Sequence, residues 1–315
     1  MTSAQVQPET IVKDIGDPAA PLPDRLKYFR PDGSPAYELA VYRTILTHPE
    51  VAEILRANEN LEARPDDVIV ASYPKSGTTW TQAIVEAIMF DEISTVSIFG
   101  LDTNRWCNLY SMTPSAIAAR PSPRLMKMHV PLTLYPQSLI EKKCKIIYVR
   151  RNVKDVMVSM YHWCRNAPHT HRACPSGSFA EFAEAFMDGQ VPAGSYFNNL
   201  AAFWSHRDDP NILMLTYEEM SQNPHQTVGK IADFLGRPMG PQQVARIVEA
   251  TSFGEMKKKE KGGAENGNAT GESSFLRSGS TEQWRTTFDP ELLQKVDSWI
   301  QRSIHLRDNL SGYIA

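Results

Sequence analysis

Residues 73–80 read Tyr-Pro-Lys-Ser-Gly-Thr-Thr-Trp, and the fold prediction starts from this stretch. An apolar run precedes it at 68–71, and a run of helical character follows it at 81–89. This order predicts a strand, a tight turn and a helix. A glycine in such a turn lets the backbone approach a ligand, and the first N–H groups and dipole of the helix favour an anion. With the charge of Lys75 and the threonine hydroxyls added, the stretch predicts a phosphate site.

The order of residues differs from that of the common ATP-binding loop. In that loop Gly-x-x-x-x-Gly comes before Lys-Ser/Thr, whereas here Lys75 precedes Gly77. The plainer alternative is a strand-to-helix turn that carries a surface lysine. The run of Lys-Ser-Gly-Thr-Thr-Trp between a strand and a helix favours phosphate binding over that alternative.

Bulk composition indicates an ordinary globular chain of 315 residues, 42% hydrophobic and 22% charged. The formal net charge of −3 gives no overall attraction to nucleic acid. No apolar run is as long as a membrane span, and the first twenty-odd residues do not resemble a signal peptide. We therefore expect a cytoplasmic protein that binds neither membrane nor nucleic acid. The four cysteines, at 107, 144, 164 and 174, suit a reducing compartment.

Strand and helix signals alternate along the chain and predict one α/β domain with a mainly parallel sheet flanked by helices, a P-loop-like nucleotide-binding fold. Residues 1–35 are rich in Pro and Asp and are expected to form an N-terminal arm on the domain of 36–315. The apolar pattern at 37–58 predicts one or two amphipathic helices broken near Pro49. The Lys- and Gly-rich run at 257–268, within the segment 257–274, has the composition of a mobile loop.

Two further basic clusters follow predicted strands, at the ends where open α/β sheets bind ligands. In Lys127-Met128-His129 the two polar residues are two apart and share one side of a strand, which places a cation beside a base. Arg151 precedes a predicted helix, and Ser159 lies two turns along it, so both could converge on a second anion. Taken singly, each of these residues could be an ordinary surface or strand-end residue.

Six motifs together resemble those of the cytosolic sulfotransferases, in family order from about residue 65 to 288. They are Tyr-Pro-Lys-Ser-Gly-Thr-Thr-Trp at 73–80, Lys-x-His-x-Pro at 127–131, Arg-Asn-x-Lys-Asp-x-x-x-Ser at 151–159, Leu-Thr-Tyr-Glu-Glu-Met at 215–220, Thr-Ser-Phe at 251–253 and Phe-x-Arg-x-Gly at 275–279. The resemblance implies a donor, 3′-phosphoadenosine 5′-phosphosulfate (PAPS), whose product is adenosine 3′,5′-bisphosphate (PAP). It implies transfer to a hydroxyl or amine of a small, hydrophobic acceptor such as a phenol, alcohol or steroid, with no metal.

The resemblance also implies residue roles. His129 would be the general base, and Lys75, assisted by Lys127, would stabilise the leaving phosphate. The donor site would be formed by Lys75, Ser76, Gly77, Thr78, Thr79, Trp80, Arg151, Ser159, Tyr217, Thr251, Phe253, Phe275, Arg277, Ser278 and Gly279. Within this set, Trp80 and Phe253 would hold adenine between aromatic faces. The acceptor pocket would be lined by Trp163, with Phe29, Phe99 and Trp106 as weaker candidates.

The chain departs from the family pattern at two places. Ser278 stands where the family has lysine, a loss that Lys257, Lys258 or Lys259 could compensate. The segment 285–290 departs from the motif that the family uses to dimerise, so the sequence leaves open a monomer or a dimer. His162, Cys164, His169, His171 and Cys174 crowd one segment, but their spacing matches no standard zinc site.

Two other functions remain as alternatives. One is an ATP-dependent small-molecule kinase of the P-loop class, which the order of lysine and glycine disfavours. The other is a sulfotransferase-like dehydratase that acts through a transient sulfate ester. The acceptor itself is not readable, because specificity lies in loops whose conformation the sequence does not fix.

Overall fold

The structure is a computed structural model that describes residues 51–90, 106–166, 177–265, 276–307 and 310. Before residue 51 it defines the backbone of four strands and of the first helical residues, and at 261–265 it defines the backbone of a helix end. Its strands, in chain order, are β1 (Val12–Lys13), β2 (Arg25–Phe29), β3 (Pro35–Tyr42), β4 (Ile45–Thr47), β5 (Val68–Ser72), β6 (Trp106–Asn108), β7 (Leu125–Met128), β8 (Lys145–Arg150) and β9 (Ile212–Thr216).

Helices connect and cover these strands. They are α1 (Pro49–Ala57), α2 (Thr78–Phe90), α3 (Pro114–Ala118), α4 (Gln137–Glu141), α5 (Val153–Asn166), α6 (Phe179–Met187), α7 (Tyr196–Trp204), α8 (Tyr217–Gln222), α9 (Pro224–Leu235), α10 (Pro241–Ala250), α11 (Phe253–Glu265), α12 (Trp284–Thr287) and α13 (Pro290–His305). None of the helices in the described part of the chain is long and apolar enough to cross a membrane.

A parallel sheet of five strands, in the order β6-β7-β5-β8-β9, forms the centre of the fold. The middle strand β5 is buried throughout and pairs with β7 on one side and β8 on the other. After β5 the chain forms β6 and β7 on one side and then β8 and β9 on the other. Open α/β sheets bind ligands at the carboxyl ends of the strands where the order reverses in this way. The predicted parallel sheet is confirmed.

Apolar side chains alternate between the two faces of this sheet. On one face Val70, Ile147 and Leu215 pack with α2, α8, α9 and α10. On the other face Ala71 and Tyr148 pack with α5, α6, α7 and α13. Helices therefore cover both faces, as predicted. Packing in these two apolar layers holds the strand ends in place, and the site is built from those strand ends.

The N-terminal region differs from the prediction. Strands β1 to β4 form a four-stranded antiparallel sheet, so the amphipathic helices expected over 37–58 are wrong before Pro49, where α1 begins. Residues Tyr37, Leu39 and Val41 recur every second position, which is the spacing of a strand. The spacing of Leu39, Tyr42 and Leu46 also fits one face of a helix, so the sequence did not distinguish helix from strand. In the folded chain β3 pairs with β2, which makes this segment a strand.

The Lys-rich run is also not the loop that its composition predicted. Phe253–Glu265 is helical, and Met256 and Glu260, one turn apart, are buried. Lys and Glu favour helix nearly as well as Leu does, so a charged helix with one buried edge has the same composition as a solvated loop. Residues 266–274 of the predicted loop lie outside the described residues.

The cysteines are in two states. Cys107 and Cys144 are free and buried in the core. Cys164, on α5, is disulfide-bonded, and its partner lies outside the described residues. Reduced thiols were expected throughout, so the bond at Cys164 differs from that expectation.

Candidate active site

The loop between β5 and α2 has an unusual backbone. Lys75 has φ +70° and Gly77 has φ +106°, both in the left-handed region. That region is uncommon for a residue with a side chain and occurs where the surroundings impose it, often at ligand sites. Gly77 is required for a second reason: a Cβ there would lie 2.7 Å from the Tyr217 ring. The loop shape is therefore fixed by the ring packed against it.

Three buried polar groups around this loop have no hydrogen-bond partner among the described residues. They are the Ser76 hydroxyl, the Trp80 indole N–H and Nε of Arg151. Buried polar groups in proteins are nearly always paired, and all three of these can donate a hydrogen. The arrangement fits a ligand rich in acceptor oxygens or nitrogens, such as a nucleotide phosphate.

Positive charge is concentrated at the same place. Burial, with the charges of Arg151 and Lys127, lowers the pKa of Lys75 to about 7. Burial likewise lowers the pKa of Lys127 to about 8. The buried carboxylate of Glu260 acts on Lys75 in the opposite sense. A bound anion would restore the charge of both lysines, because it supplies the counter-charge that the cluster lacks.

His129 lies at the end of β7 with its imidazole oriented by β5. Its Nδ1 is 2.9 Å from the carbonyl oxygen of Ser72. Because a carbonyl only accepts, Nδ1 carries the hydrogen and Nε2 keeps its lone pair. Burial, with the charges of Lys127 and Lys75, lowers the pKa of His129 to about 3. The imidazole is thus neutral and its Nε2 is ready to accept a proton.

The backbone of His129 is also held on both sides. The Tyr110 hydroxyl accepts a hydrogen bond from its N–H, and Nδ2 of Asn199 donates to its carbonyl oxygen over 2.8 Å. Oδ1 of Asn199 in turn accepts from the Tyr148 hydroxyl at 2.8 Å. Sequence reasoning missed Asn199 altogether, since a single asparagine within a helix carries no motif. Tyr110 lies within residues 91–124, which lack a regular apolar pattern. That irregularity was the only feature of the sequence that pointed to a function for Tyr110.

A second basic group surrounds Arg151. Its guanidinium lies 4.3 Å from the Tyr217 ring centre and donates to the carbonyl oxygen of Ser280 at 2.9 Å. The Tyr217 hydroxyl donates to the carbonyl oxygen of Gly279 at 2.8 Å. Burial and the charge of Arg151 lower the pKa of Arg277. The structure thus brings Arg151, Arg277 and Gly279 together, as the sequence predicted.

Comparison with known proteins identifies the family. A family model described as the sulfotransferase domain matches residues 65–308. The chain belongs to the sulfotransferase family.

Individual relatives support the same assignment. Sulfotransferase 1B1 of Canis lupus familiaris is 36% identical over 251 residues, 76% of this chain and 83% of that protein. Sulfotransferase 1E1 of Bos taurus is 36% identical over 258 residues, with the same coverage. Among solved structures, mouse sulfotransferase SULT7A1 complexed with PAP is 28% identical with a TM-score of 0.72, covering 86% of this chain and 95% of that one. Retinol dehydratase in complex with androsterone and PAP is 26% identical with a TM-score of 0.75, covering 86% and 90%.

The residues predicted to contact adenine in this sulfotransferase lie near one another. The rings of Trp80 and Tyr217 pack edge to face with centres 5.7 Å apart. Phe253 packs against Gly279, which has φ +66° and where a Cβ would lie 2.3 Å from the ring. The Thr251 hydroxyl donates to the carbonyl oxygen of Ile247, so its hydrogen is already used within the fold.

The other predicted donor-site residues differ in their burial and in their contacts. Ser159 is half-buried on α5, two turns after Arg151. Ser278 is exposed and hydrogen-bonds to Ser280 and Gln283. Of the three lysines considered as its replacement, Lys257 lies over the Phe253 ring at 5.6 Å and Lys258 pairs with Glu255. Phe275 lies outside the described residues.

The residues predicted to line the acceptor pocket do not all lie at the site. Nζ of Lys75 lies 5.9 Å from the centre of the Trp163 ring, which places that ring at the lysine. Trp106 is a core residue instead: it is fully buried on β6, and its indole N–H donates to Glu86 at 3.1 Å. Trp106 was one of the weaker candidates, and the sequence did not predict β6, the strand that carries it. Phe99 and the side chain of Phe29 lie outside the described residues.

Replacing Asn199 by alanine should slow sulfuryl transfer about tenfold while leaving PAP affinity unchanged. The change leaves the His129 carbonyl and the Tyr148 hydroxyl without their partner, and a small displacement of a reacting group is costly. Steady-state kinetics and calorimetry measure the two effects. Asn198→Ala, on the exposed side of the same helix, is the matched control. Equal losses in both variants, or weaker PAP binding in Asn199→Ala, would contradict the positioning role.

Proposed function

We propose that the protein transfers the sulfuryl group of PAPS to a hydroxyl or amino group of a small, hydrophobic acceptor, with His129 as general base. The observation that carries this proposal is that two groups of basic and hydrogen-bond-donating residues lie together, with the Arg151 guanidinium 3.3 Å from the carbonyl oxygen of Lys75. One is the Lys75 loop at the start of α2, and the other is formed by Arg151, Arg277 and Gly279. A nucleotide with phosphates at both its 5′ and 3′ positions matches that pair, and ATP does not.

The donor-site residues fit PAPS chemically. Ser76, Gly77, Thr78 and Thr79 would bind the 5′-phosphate through hydroxyls and helix N–H groups. Arg151, with Ser159, Arg277 and Gly279, would bind the 3′-phosphate, since a guanidinium suits bidentate contact with phosphate. The indole N–H of Trp80 and Nε of Arg151, both buried without a partner among the described residues, would then be satisfied.

The chemistry follows from the two basic groups that the fold places together. When bound, PAPS supplies an activated sulfuryl group, whose bond to the phosphate oxygen breaks as a bond to the acceptor oxygen forms. Nε2 of His129 takes the acceptor proton, because Nδ1 is committed to Ser72. Lys75 donates to the departing phosphate oxygen and Lys127 adds positive charge, so charge developing in transfer is stabilised by groups already in position.

The acceptor class is part of the proposal. Trp163 and Tyr110 supply aromatic surface beside Lys75 and His129, respectively. Aromatic walls with few polar groups suit a phenol, an alcohol or a steroid. A cytoplasmic location, the absence of a nucleic-acid partner, and a monomer or dimer stay predictions alongside it.

A dehydratase remains the second candidate, because the chain is structurally similar to retinol dehydratase. Both reactions would share the donor site and the transfer step. They differ in product: a sulfotransferase accumulates the sulfate ester, whereas a dehydratase releases free sulfate and an alkene. Mass spectrometry of products from a panel of phenols, steroids, alcohols and amines separates the two.

Calorimetry with nucleotides tests the donor assignment. We expect PAP to bind without magnesium and at least about a hundredfold more tightly than ATP with magnesium, since a site built for a 3′-phosphate rejects ligands that lack it. Arg151→Ala should weaken PAP binding. The neighbouring change Arg150→Ala should leave PAP binding unchanged, because the Arg150 guanidinium lies over the Trp204 ring. A preference for ATP with magnesium would establish the kinase instead.

Removal of the base should stop the chemistry and spare binding. His129→Ala is expected to lower the rate of labelled sulfate transfer by about two to four orders of magnitude, the usual contribution of a general base. PAP affinity should change little. His206→Ala serves as control, because His206 is exposed and pairs with the exposed Asp209. Transfer that continues undiminished in His129→Ala would show that the base is another group.

PAP affinity should decrease as pH rises. Lys75 loses its proton above about pH 7 in the free protein, and an anion binds the protonated form, so binding must take up a proton at higher pH. We expect affinity to fall at least about tenfold between pH 7 and pH 9. Calorimetry in buffers of different ionisation enthalpy counts the protons. Lys75→Arg should remove the slope near pH 7 and keep the part above pH 8 that Lys127 contributes; an unchanged slope would rule Lys75 out as its source.

A further inference from the structure

Asp155 makes contacts that the transfer reaction does not account for. It lies in the first turn of α5 and is buried, with 2% of its surface exposed. Its Oδ2 accepts a hydrogen bond from the backbone N–H of Glu282 at 2.7 Å, and its Oδ1 accepts one from the N–H of Trp284 at 3.2 Å. Both oxygens of one carboxylate therefore bind the same short piece of backbone, 127 or more positions away in the chain.

That backbone belongs to the segment 276–287, which carries Arg277 and Gly279. Two residues of the segment have left-handed backbone: Gly279, at φ +66°, adopts it readily, whereas it is uncommon for a residue with a side chain such as Glu282, at φ +62°. Such conformations persist where the surroundings over-determine them. Arg151 and Tyr217 donate to its carbonyl groups at Ser280 and Gly279. Asp155 accepts from its N–H groups a few residues further on, so the segment is fixed at both ends of its bend.

Asp155 carries a negative charge beside the proposed phosphate site, and that charge bears on its role. A carboxylate close to a phosphate site repels the ligand, and its negative charge already acts on Arg277, against the effects of burial and Arg151. On electrostatic grounds alone Asp155 would weaken phosphate binding. Its presence beside Arg151 and Arg277 is consistent with a benefit that comes from geometry instead.

We infer that Asp155 is a positioning residue for 3′-phosphate recognition: it holds the 276–287 segment so that Arg277 and Gly279 face the phosphate beside Arg151. The inference rests on the proposed function, because it assumes that the second basic group binds the 3′-phosphate of the donor. It assigns Asp155 a part in discriminating nucleotides with a 3′-phosphate from those without one.

Binding of PAP and of AMP to the full-length Asp155→Asn variant tests the inference. AMP has the same base, sugar and 5′-phosphate as PAP but no 3′-phosphate. Asparagine keeps the size of the side chain, but its NH₂ group faces one of the two N–H donors and cannot accept. We expect PAP affinity to fall on the order of tenfold, and AMP affinity to stay unchanged, since a lost hydrogen bond to a charged group costs about that much.

The controls separate positioning from general damage. Asp289→Asn alters another carboxylate that accepts a backbone N–H at a helix start, from Leu292 at 2.8 Å, and should leave the PAP-to-AMP affinity ratio as it is. Asp155→Glu keeps the charge and both accepting oxygens, and should recover part of the PAP affinity; it also serves if the asparagine variant does not fold. Thermal unfolding of each variant accompanies the calorimetry.

Each outcome has a separate meaning. A loss shared equally by PAP and AMP, or tighter PAP binding in Asp155→Asn, overturns the inference, because the first indicates general damage and the second electrostatics alone. A wild-type protein that binds AMP as tightly as PAP overturns the proposed donor, and the inference with it. A wild-type preference for PAP that is reduced in Asp155→Asn and retained in Asp289→Asn supports both.

Discussion

Burial of cations at the carboxyl ends of β5, β7 and β8 is the constraint on which the site depends. Burial lowers the pKa of both Lys75 and Lys127, and the charges of Arg151 and Lys127 lower that of Lys75 further. Such an arrangement opposes folding and needs support from elsewhere. The support comes from the two apolar layers that cover the parallel sheet and leave the strand ends no freedom to separate.

Tyr217 connects the two halves of the site. Its ring forces glycine at position 77 and packs against Trp80, while its face covers the guanidinium of Arg151. Its hydroxyl reaches the carbonyl of Gly279. One side chain therefore sets the distance between the loop at α2 and the segment at 276–287. The spacing of the two basic groups is therefore fixed by packing within the protein.

The sequence was informative where a pattern is local and regular. The pattern of the sequence predicted β5, β7 and β8, and the family resemblance placed Arg151, Arg277 and Gly279 in one donor site. Composition gave a wrong prediction for α11, because a helix rich in lysine and glutamate has the same composition as a solvated loop. The contacts of Asn199 and Asp155 were not predicted, because their partners lie 51 or more residues away in the chain and include backbone groups, which carry no residue identity. Such contacts become visible only once the chain is folded.

If His129 is the base, its suppressed basicity couples the donor site to the acceptor site. Burial lowers the pKa of His129 most, and the charges of Lys127 and Lys75, which the anionic donor would neutralise, lower it further. In the proposed mechanism, an acceptor that enters before the donor meets a weaker base than one that enters after it. Charge alone thus couples occupancy of the donor site to the chemistry at the acceptor.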